Sequence, residues 1–281
     1  MTFDLSQLDR TWRTEEFRVN TVRLAQFAAA IDDESPAHRN GSIAPPLFAN
    51  VPTMQPCIEA LRSVTTAFAY HGEHDFHFHQ PIRPGMHLFS QATLRGVVAT
   101  RGGVSIVVHS KTREKHGALV DEQFFIAFVA GASLPRSIGE PPPKVSPFSG
   151  STAGAPVARA TYPLASDQTF RYADASRDYA DYTLRLDAAR ARGFEQIVVH
   201  GMLTMAFAAR AVVAQVCAGD STRLKRLAGR FSNPVFLIPD QALMTRLWKL
   251  DSNEGRERFR FETSDAAGNV VMKNGLAEVA E

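Results

Sequence analysis

The chain has 281 residues, enough for two domains of ordinary size or one large one, and its apolar share of 44% is ordinary for a globular protein. Its 31 basic and 29 acidic residues leave a net charge of +2, so the composition gives no indication of nucleic-acid binding. The N-terminal residues lack the basic start and apolar core of a signal peptide, and no apolar run approaches the length of a membrane span. Cys57 and Cys217 lie far apart in apolar contexts, which predicts buried thiols in a reducing cytoplasm.

The first half of the chain predicts two helices followed by several strands. A helix is expected from Thr21 to Ile31, and a longer apolar helix from about Leu47 to Thr66. Pro45 and Pro46 stand just before the longer helix, where proline is tolerated because the first amides of a helix have no partner within it. Strand-like runs follow at 75–80, 87–98, 104–113 and 119–130.

The second half repeats this plan after a change in composition. Residues 136–160 are rich in Pro, Ser, Gly and Ala, which predicts a linker between domains at 1–135 and 161–281. A long apolar helix is expected after 197–202, and strand-like runs follow near 227–236, 242–250, 257–263 and 269–279. A long central helix followed by antiparallel strands is an α+β pattern, and its repetition predicts an internal duplication.

The segment Asp33-Glu-Ser-Pro-Ala-His38 directly follows the first helix and carries a carboxylate and an imidazole. Pro36 disfavours the helical conformation at Ser35, so the chain is extended or turning between the two groups. Both side chains can then aim at one point, and an Asp and a His that converge on one water form a general acid/base pair. The alternative is a capped helix end, with Asp33 and Ser35 as turn residues and His38 on the surface.

This segment resembles the signature of the R-specific enoyl-CoA hydratases, or MaoC-like dehydratases. The phrase Phe-Ala-x-Ala-x-Asp-Asp-x-Ser-Pro-x-His is similar to their Y/F-A-x-x-x-G-D-x-N-P-x-H. Asp33, Pro36 and His38 fall on the signature Asp, Pro and His. Asp32 replaces its Gly, and Ser35 replaces its Asn.

Two further motifs extend the resemblance over nearly the whole chain. Residues 193–202 look like the G-F-x-x-x-I-x-H-G-M that opens the central helix in these proteins, and residues 76–85 look like their F-x-x-P-x-x-P-G strand start. The three matches come in the expected order. The resemblance implies an α+β double hot-dog fold, in which each repeat is a long central helix wrapped by an antiparallel sheet.

The matching turn in the second half lacks the imidazole. Asp178 falls on the signature Asp, but Asp181 replaces the Pro and Thr183 stands in place of the His. Threonine does not titrate near neutrality and cannot act as the base. We therefore interpret the second half as degenerate at the acid/base position and assign the chemistry to the first half.

The start of the first central helix also departs from the family pattern, whose His-Gly becomes Pro45-Pro46. In the family, the amide of that glycine polarises the thioester carbonyl of the substrate. Proline has no N–H, so Pro46 cannot be this oxyanion donor. The amides of Leu47 or Phe48, at the start of the same helix, are the predicted replacements.

Four histidines lie close together just after the second predicted helix of the first half. A metal site is conceivable for the cluster His71, His74, His77 and His79, but no familiar ligand spacing completes it, and positions at the rim of the acyl-CoA entrance are favoured. His200 precedes a helix start, where a structural hydrogen-bonding role is favoured over catalysis.

The resemblance implies a hydro-lyase of fatty acid metabolism that reversibly hydrates a 2-enoyl-CoA or dehydrates a 3-hydroxyacyl thioester. Asp33 and His38 would hold one water over Cβ, on an acyl-CoA or acyl-carrier-protein thioester, without cofactor or metal. We expect a cytoplasmic location and no nucleic-acid or membrane partner. Whether two chains pair into a homodimer stays open. One alternative is a non-catalytic acyl-thioester-binding subunit, favoured by Asp32, the two prolines and the short loop after His38. Another is a hot-dog thioesterase, which needs only an acid residue and helix amides.

Overall fold

The structure is a computed structural model that describes residues 2–143, 154–253 and 255–281. The helices and strands described before the gap at 144–153 are β1 (Thr11–Arg13), β2 (Phe17–Arg18), α1 (Thr21–Ala30), α2 (Pro36–Arg39), α3 (Asn50–Val64), β3 (Tyr70–Phe78), β4 (His87–Thr100), β5 (Gly103–Glu114), β6 (Leu119–Ala130) and β7 (Ile138–Gly139). Those after it are β8 (Ala158–Pro163), α4 (Gln168–Ser176), α5 (Leu186–Ala191), α6 (Gly201–Val216), β9 (Leu224–Phe231), β10 (Ala242–Asn253), β11 (Arg256–Ser264) and β12 (Val270–Ala280). Short 3₁₀ turns at Pro46–Ala49 and Ser221–Arg223 lead into α3 and β9.

The strands form one antiparallel sheet in the order β1-β4-β5-β6-β3-β9-β12-β11-β10-β8, with β2 and β7 also pairing with β4. The two halves meet where β3 pairs with β9, with Phe76 opposite Leu227. A buried ion pair ties the same two strands, because Arg226 donates to both carboxylate oxygens of Asp75 at 2.9 and 2.7 Å. The two halves therefore share one continuous sheet.

One long helix packs on each half of this sheet, but the two helices differ in character. Ten of the sixteen residues of α6 are buried and apolar, and α6 lies in the large core that also contains Phe27 and Phe48. The helix α3 packs through Ala60 and Val64 on a smaller apolar core, while polar residues are buried in its first turns. The repeated plan predicted from the sequence is therefore confirmed, with a more polar interior in the first half.

The predicted domain boundaries fall among paired strands. Strand β7 pairs with β4 and strand β8 pairs with β10, so both ends of the predicted linker at 136–160 reach into the sheet. The middle of that linker, residues 144–153, lies outside the described residues. The division into 1–135 and 161–281 stays a prediction. None of the helices in the described ranges is long and apolar enough to cross a membrane.

Candidate active site

The turn that carries Asp33 and His38 is built by the end of α1 and the short helix α2. Asp32 leaves α1 in the left-handed region, with φ of 50°, a conformation that glycine adopts freely and Asp tolerates better than most residues. Arg171 supports this conformation by donating to Asp32 at 2.8 Å and to the carbonyl of Ala29 at 2.6 Å. The predicted break before Pro36 is present, because Ser35 has an extended ψ of 125° and α2 begins at the proline.

Asp33 and His38 are hydrogen bonded to each other inside the protein. The distance between Asp33 Oδ2 and His38 Nδ1 is 2.7 Å, and Asp33 Oδ1 accepts from the amide of Ser35 at 2.9 Å. Only 8% of Asp33 and 1% of His38 are exposed. The alternative interpretation is therefore wrong in placing His38 on the surface. It is right in making Asp33 a turn residue, because Asp33 accepts from the Ser35 amide.

The carboxylate of Asp33 is kept ionised against the effect of burial. Burial favours the neutral acid, but the hydrogen bonds from His38 and Ser35 and the nearby charge of Arg210 together lower the pKa of Asp33. Arg210 comes from α6 in the second half, where it donates to the carbonyl of Ile31 at 2.7 Å and lies 4.1 Å from the ring centre of Tyr162. The second half thus supplies a positive charge to the first-half site.

The other ring nitrogen of His38 contacts a serine that sequence reasoning missed. His38 Nε2 lies 2.8 Å from Oγ of Ser221, a residue 183 positions later in the chain. The three side chains of Asp33, His38 and Ser221 are therefore hydrogen bonded in series. The sequence had predicted that Asp33 and His38 aim at one point. No local motif marks Ser221, because only the pairing of β3 with β9 brings its turn beside α2.

Ser221 also faces a cleft between the two halves. Its walls are formed by the start of the first central helix, by the end of β3 and by the turn that precedes β9, at residues 43–46, 49, 78–82, 120–121, 221–222 and 224–225. The cleft contains about 470 Å³ of empty space, part of it open to solvent. A ligand in it would meet the Ser221 hydroxyl before it met His38, which is buried behind that hydroxyl.

A buried acid, Asp121, lines the same cleft and was also missed. Its Oδ1 accepts from Gln123 Nε2 at 2.6 Å, while its Oδ2 has no hydrogen-bond partner among the described residues. Burial raises the pKa of Asp121 to about 7. The side chain is 1% exposed, so the site holds a carboxyl group that is partly neutral at physiological pH.

The two predicted oxyanion donors differ in the structure. The amide of Phe48 donates to the carbonyl of Pro45 at 2.9 Å and is therefore occupied. The amide of Leu47 has no acceptor among the described residues, as is usual for a position in the first turn of a helix. Pro45 and Pro46 line the cleft, so Leu47 stays the predicted donor.

Comparisons with known proteins find two family models that match different parts of the chain. A family model described as MaoC like domain matches residues 148–270, and one described as FAS1-like, dehydratase domain region matches residues 9–123. The chain is therefore similar to the MaoC-like dehydratases in its second half and to a FAS1-like dehydratase region in its first half. The part that carries Asp33 and His38 is the one that matches the FAS1-like dehydratase region.

Several solved structures have the same fold as this chain. A MaoC-like dehydratase from Phytophthora capsici is 20% identical, with a TM-score of 0.83, and the match covers 99% of this chain and 97% of that one. A Mycobacterium tuberculosis protein described as a double hotdog fold is 13% identical, with a TM-score of 0.64 and coverages of 96% and 95%. The predicted α+β double hot-dog fold is confirmed.

The chain also aligns with parts of longer curated proteins. Peroxisomal multifunctional enzyme type 2 of Mus musculus is 27% identical over 77% of this chain and 28% of its own length. The 3-hydroxyacyl-thioester dehydratase Y of Mycobacterium tuberculosis is 31% identical over 44% of this chain and 42% of its own length. The chain therefore spans less than half the length of either relative.

In the second half of the chain, His200 lies beside Thr183, the residue that stands in place of the signature His. Its Nδ1 lies 2.7 Å from Thr169 Oγ1, and its Nε2 lies 2.8 Å from Thr183 Oγ1 and 3.0 Å from the carbonyl oxygen of Asp178. Threonine hydroxyls thus hold a buried imidazole, and among the described residues the Asp178 carboxylate has no histidine partner like that of Asp33. The structural interpretation of His200 agrees with these contacts.

The histidine cluster of the first half lies mostly away from the cleft. His71 Nε2 is 3.0 Å from His74 Nδ1, and His74 Nε2 is 3.1 Å from Gln123 Oε1. Burial lowers the pKa of His74 to about 4, so this ring is neutral at physiological pH. Of the cluster, His79 lines the cleft. The residues that the structure describes contain no group of three or more His, Cys, Asp or Glu side chains able to hold a metal ion.

Proposed function

We propose that the chain is a hydro-lyase that reversibly adds water to a 2-enoyl thioester, or removes it from a 3-hydroxyacyl thioester. The observation that carries this proposal is the buried Asp33–His38 pair, which lies directly behind Ser221 at the wall of a cleft between the two halves. The family supports the reaction class, and the mycobacterial relative is named for a thioester dehydratase. The polar and apolar walls of the cleft suit the thioester end of an acyl chain.

The hydrogen bonds of His38 suggest a division of roles. Its Nδ1 is held by Asp33, so Nε2 is the nitrogen left to exchange a proton with a ligand. Asp33 stays ionised, orients the ring and stabilises the imidazolium that forms during turnover. In this proposal His38 is the base, and a water or substrate hydroxyl reaches Nε2 by displacing the Ser221 hydroxyl.

The reaction then needs no group beyond the chain and its substrate. In hydration, His38 Nε2 removes a proton from water as its oxygen adds to Cβ, and negative charge develops on the thioester oxygen. The Leu47 amide, which has no acceptor in the described part of the chain, is the proposed donor to that oxygen, at a helix start where the dipole favours negative charge. His38 returns a proton to Cα, which completes the addition of water.

Three finer statements are also proposals. The carrier is CoA or acyl carrier protein, and the product has R stereochemistry, as the resemblance implies. The cytoplasm is the proposed location, since Cys57 and Cys217 are free and buried, and burial raises the pKa of each thiol to about 12. Homodimer formation stays a prediction that sedimentation measures.

A second candidate is a non-catalytic acyl-thioester-binding subunit. The observation that favours it is the closure of His38 Nε2 by Ser221, which leaves the imidazole without open contact to the cleft. In that role Asp33 and His38 would only fix the turn beside α6. Such a subunit would bind an enoyl thioester and leave it unchanged.

One experiment separates these functions. Crotonyl-CoA is incubated with the full chain, and loss of the enoyl-thioester absorbance is followed separately from free thiol. We expect hydration, and a decrease of about two to four powers of ten in rate for His38→Ala. His116→Ala, at an exposed histidine, is the matched control. Full activity in His38→Ala, or a larger loss in Asp178→Ala, would show that the site is assigned to the wrong residues, and binding without turnover would favour the subunit.

A further inference from the structure

Ser221, His38 and Asp33 form a hydroxyl–imidazole–carboxylate series whose two links are both short. Ser221 Oγ lies 2.8 Å from His38 Nε2, and His38 Nδ1 lies 2.7 Å from Asp33 Oδ2. The remaining carboxylate oxygen of Asp33 is fixed by the Ser35 amide at 2.9 Å. These are the contacts by which a base activates a serine nucleophile and a third group orients the base.

We propose that Ser221 is a nucleophile that accepts the acyl group of a thioester, so that the site also hydrolyses acyl thioesters through an acyl-serine intermediate. Two alternatives for a serine hydroxyl at this distance are a structural hydrogen bond and a role as a simple positioning group. The surroundings of Ser221 favour the nucleophile on three counts, which concern its access, its neighbours and its partner.

Access distinguishes Ser221 from a structural serine in a core. The side chain is half-buried and lines the cleft, while His38 behind it is 1% exposed. The hydroxyl can therefore meet a substrate carbonyl on one side and its base on the other. A serine that only filled a gap would have no open side.

The neighbouring residues hold the turn without using the Ser221 hydroxyl. Asp220 Oδ1 accepts from the amide of Thr222 at 2.9 Å and from the Thr222 hydroxyl at 2.7 Å. The Thr222 hydroxyl is thus committed to the turn. Ser221 is presented at the first position of a 3₁₀ turn that another side chain stabilises, which leaves its hydroxyl for His38.

The partner imidazole is prepared to receive a proton. The Asp33 carboxylate remains ionised because hydrogen bonds and the Arg210 charge outweigh burial, and its pKa is lowered. An ionised carboxylate on Nδ1 stabilises the imidazolium that forms when Nε2 takes the proton of Ser221. Water is largely excluded from this pair, which strengthens the interaction.

The proposed reaction is balanced without any further reagent. Ser221 Oγ bonds to the thioester carbonyl carbon as its proton moves to His38 Nε2, and the carbon–sulfur bond then breaks as that proton passes to the thiolate. A water gives its proton to Nε2 and bonds to the acyl carbon, and the ester bond to Oγ breaks as the proton returns to Ser221. The sum is thioester plus water giving carboxylic acid plus thiol.

This inference rests on the proposed function only for its substrate class, a thioester. A saturated substrate such as butyryl-CoA has no double bond to hydrate, so thiol released from it reports acyl transfer alone. Hydration of crotonyl-CoA without thiol release from butyryl-CoA would overturn the inference and keep the proposed function. Thiol release without hydration would do the reverse.

A fluorophosphonate probe tests the nucleophile directly, because a serine oxygen forms a bond to phosphorus as fluoride leaves. Intact-protein mass spectrometry should show one adduct per chain, and peptide mapping should place it on Ser221. The adduct should be absent in Ser221→Ala and reduced about a hundredfold or more in rate in His38→Ala. Ser63→Ala, on α3 and away from the cleft, is the control that keeps it.

Kinetics with butyryl-CoA complete the test. Thiol release should fall by about a hundredfold or more in Ser221→Ala and in Asp33→Asn. Ser221→Cys guards against a folding defect, because a thiol beside His38 should react with iodoacetamide while the buried Cys57 and Cys217 do not. No adduct on Ser221, together with unchanged thiol release in Ser221→Ala, would overturn the proposal and leave Ser221 as a positioning hydroxyl.

Discussion

The buried acid Asp121 should make the protein less stable as pH rises through the neutral range. Its carboxyl group is 1% exposed, and one of its oxygens has no hydrogen-bond partner among the described residues. Burial raises its pKa from an ordinary 3.8 to about 7. The proton that the folded state retains is lost from the unfolded chain over this whole interval, so the two states differ in protons bound.

The sign and size of the effect follow from that difference. Below the ordinary pKa of 3.8, both states are protonated and the full stability is present. As pH rises towards about 7, the unfolded state ionises freely while the folded state does not, so the free energy of unfolding falls. The interval of about three pKa units corresponds to roughly 4 kcal/mol, of which about 3 kcal/mol is lost between about pH 5 and about pH 8.

Urea unfolding of the wild type and Asp121→Asn, at about pH 5 and about pH 8, measures this contribution. Asparagine has the same shape and does not titrate. The variant should therefore gain about 3 kcal/mol relative to the wild type between the two pH values. Asp174→Asn, at an exposed aspartate, is the control and should follow the wild type. If wild type and Asp121→Asn lose stability in parallel, Asp121 is not neutral in the folded protein and the reasoning is refuted.

Two further predictions concern arginines of the second half that contact the first. Arg226→Met leaves the fully buried Asp75 without its bidentate partner, which should cost about 3–5 kcal/mol in urea unfolding. Addition of Asp75→Asn should recover part of that loss, and a cost below about 1 kcal/mol would contradict the role of this pair. Arg210→Met removes a positive charge beside Asp33, so the pKa of Asp33, followed by NMR titration of its carboxyl carbon, should rise. An unchanged pKa of Asp33 would show that this charge does not act on the site.

The sequence predicted those parts of the fold that local patterns encode. Apolar periodicity placed the helix at Thr21–Ala30 and the strands that follow α3 within a few residues of their observed bounds. The two halves were recognisable because the order of elements repeats. The start of α3 was predicted about three residues early, since Pro46–Ala49 form a 3₁₀ turn before the α-helix begins at Asn50.

The parts of the site that depend on the pairing of distant strands could not be predicted. Ser221 has no unusual neighbours in sequence, and its turn reaches His38 only because β9 pairs with β3. The acid at Asp121 lies in a strand whose period places it inward, but no sequence pattern says that one of its oxygens has no hydrogen-bond partner among the described residues. Local chemistry predicted the Asp33–His38 turn, because both members lie within six residues.

The duplication explains why the candidate site is assembled from both halves. The apolar helix α6 forms the large core, and from it Arg210 reaches Ile31 and places its charge beside Asp33. The turn after α6 contributes Ser221, while the first half contributes His38 and the cleft acid Asp121. In the second half, the His200 imidazole lies 2.8 Å from Thr183 Oγ1 and fills the space beside the residue that stands in place of the signature His. The acid/base chemistry is therefore proposed for the first half, where the imidazole of His38 is paired with a carboxylate.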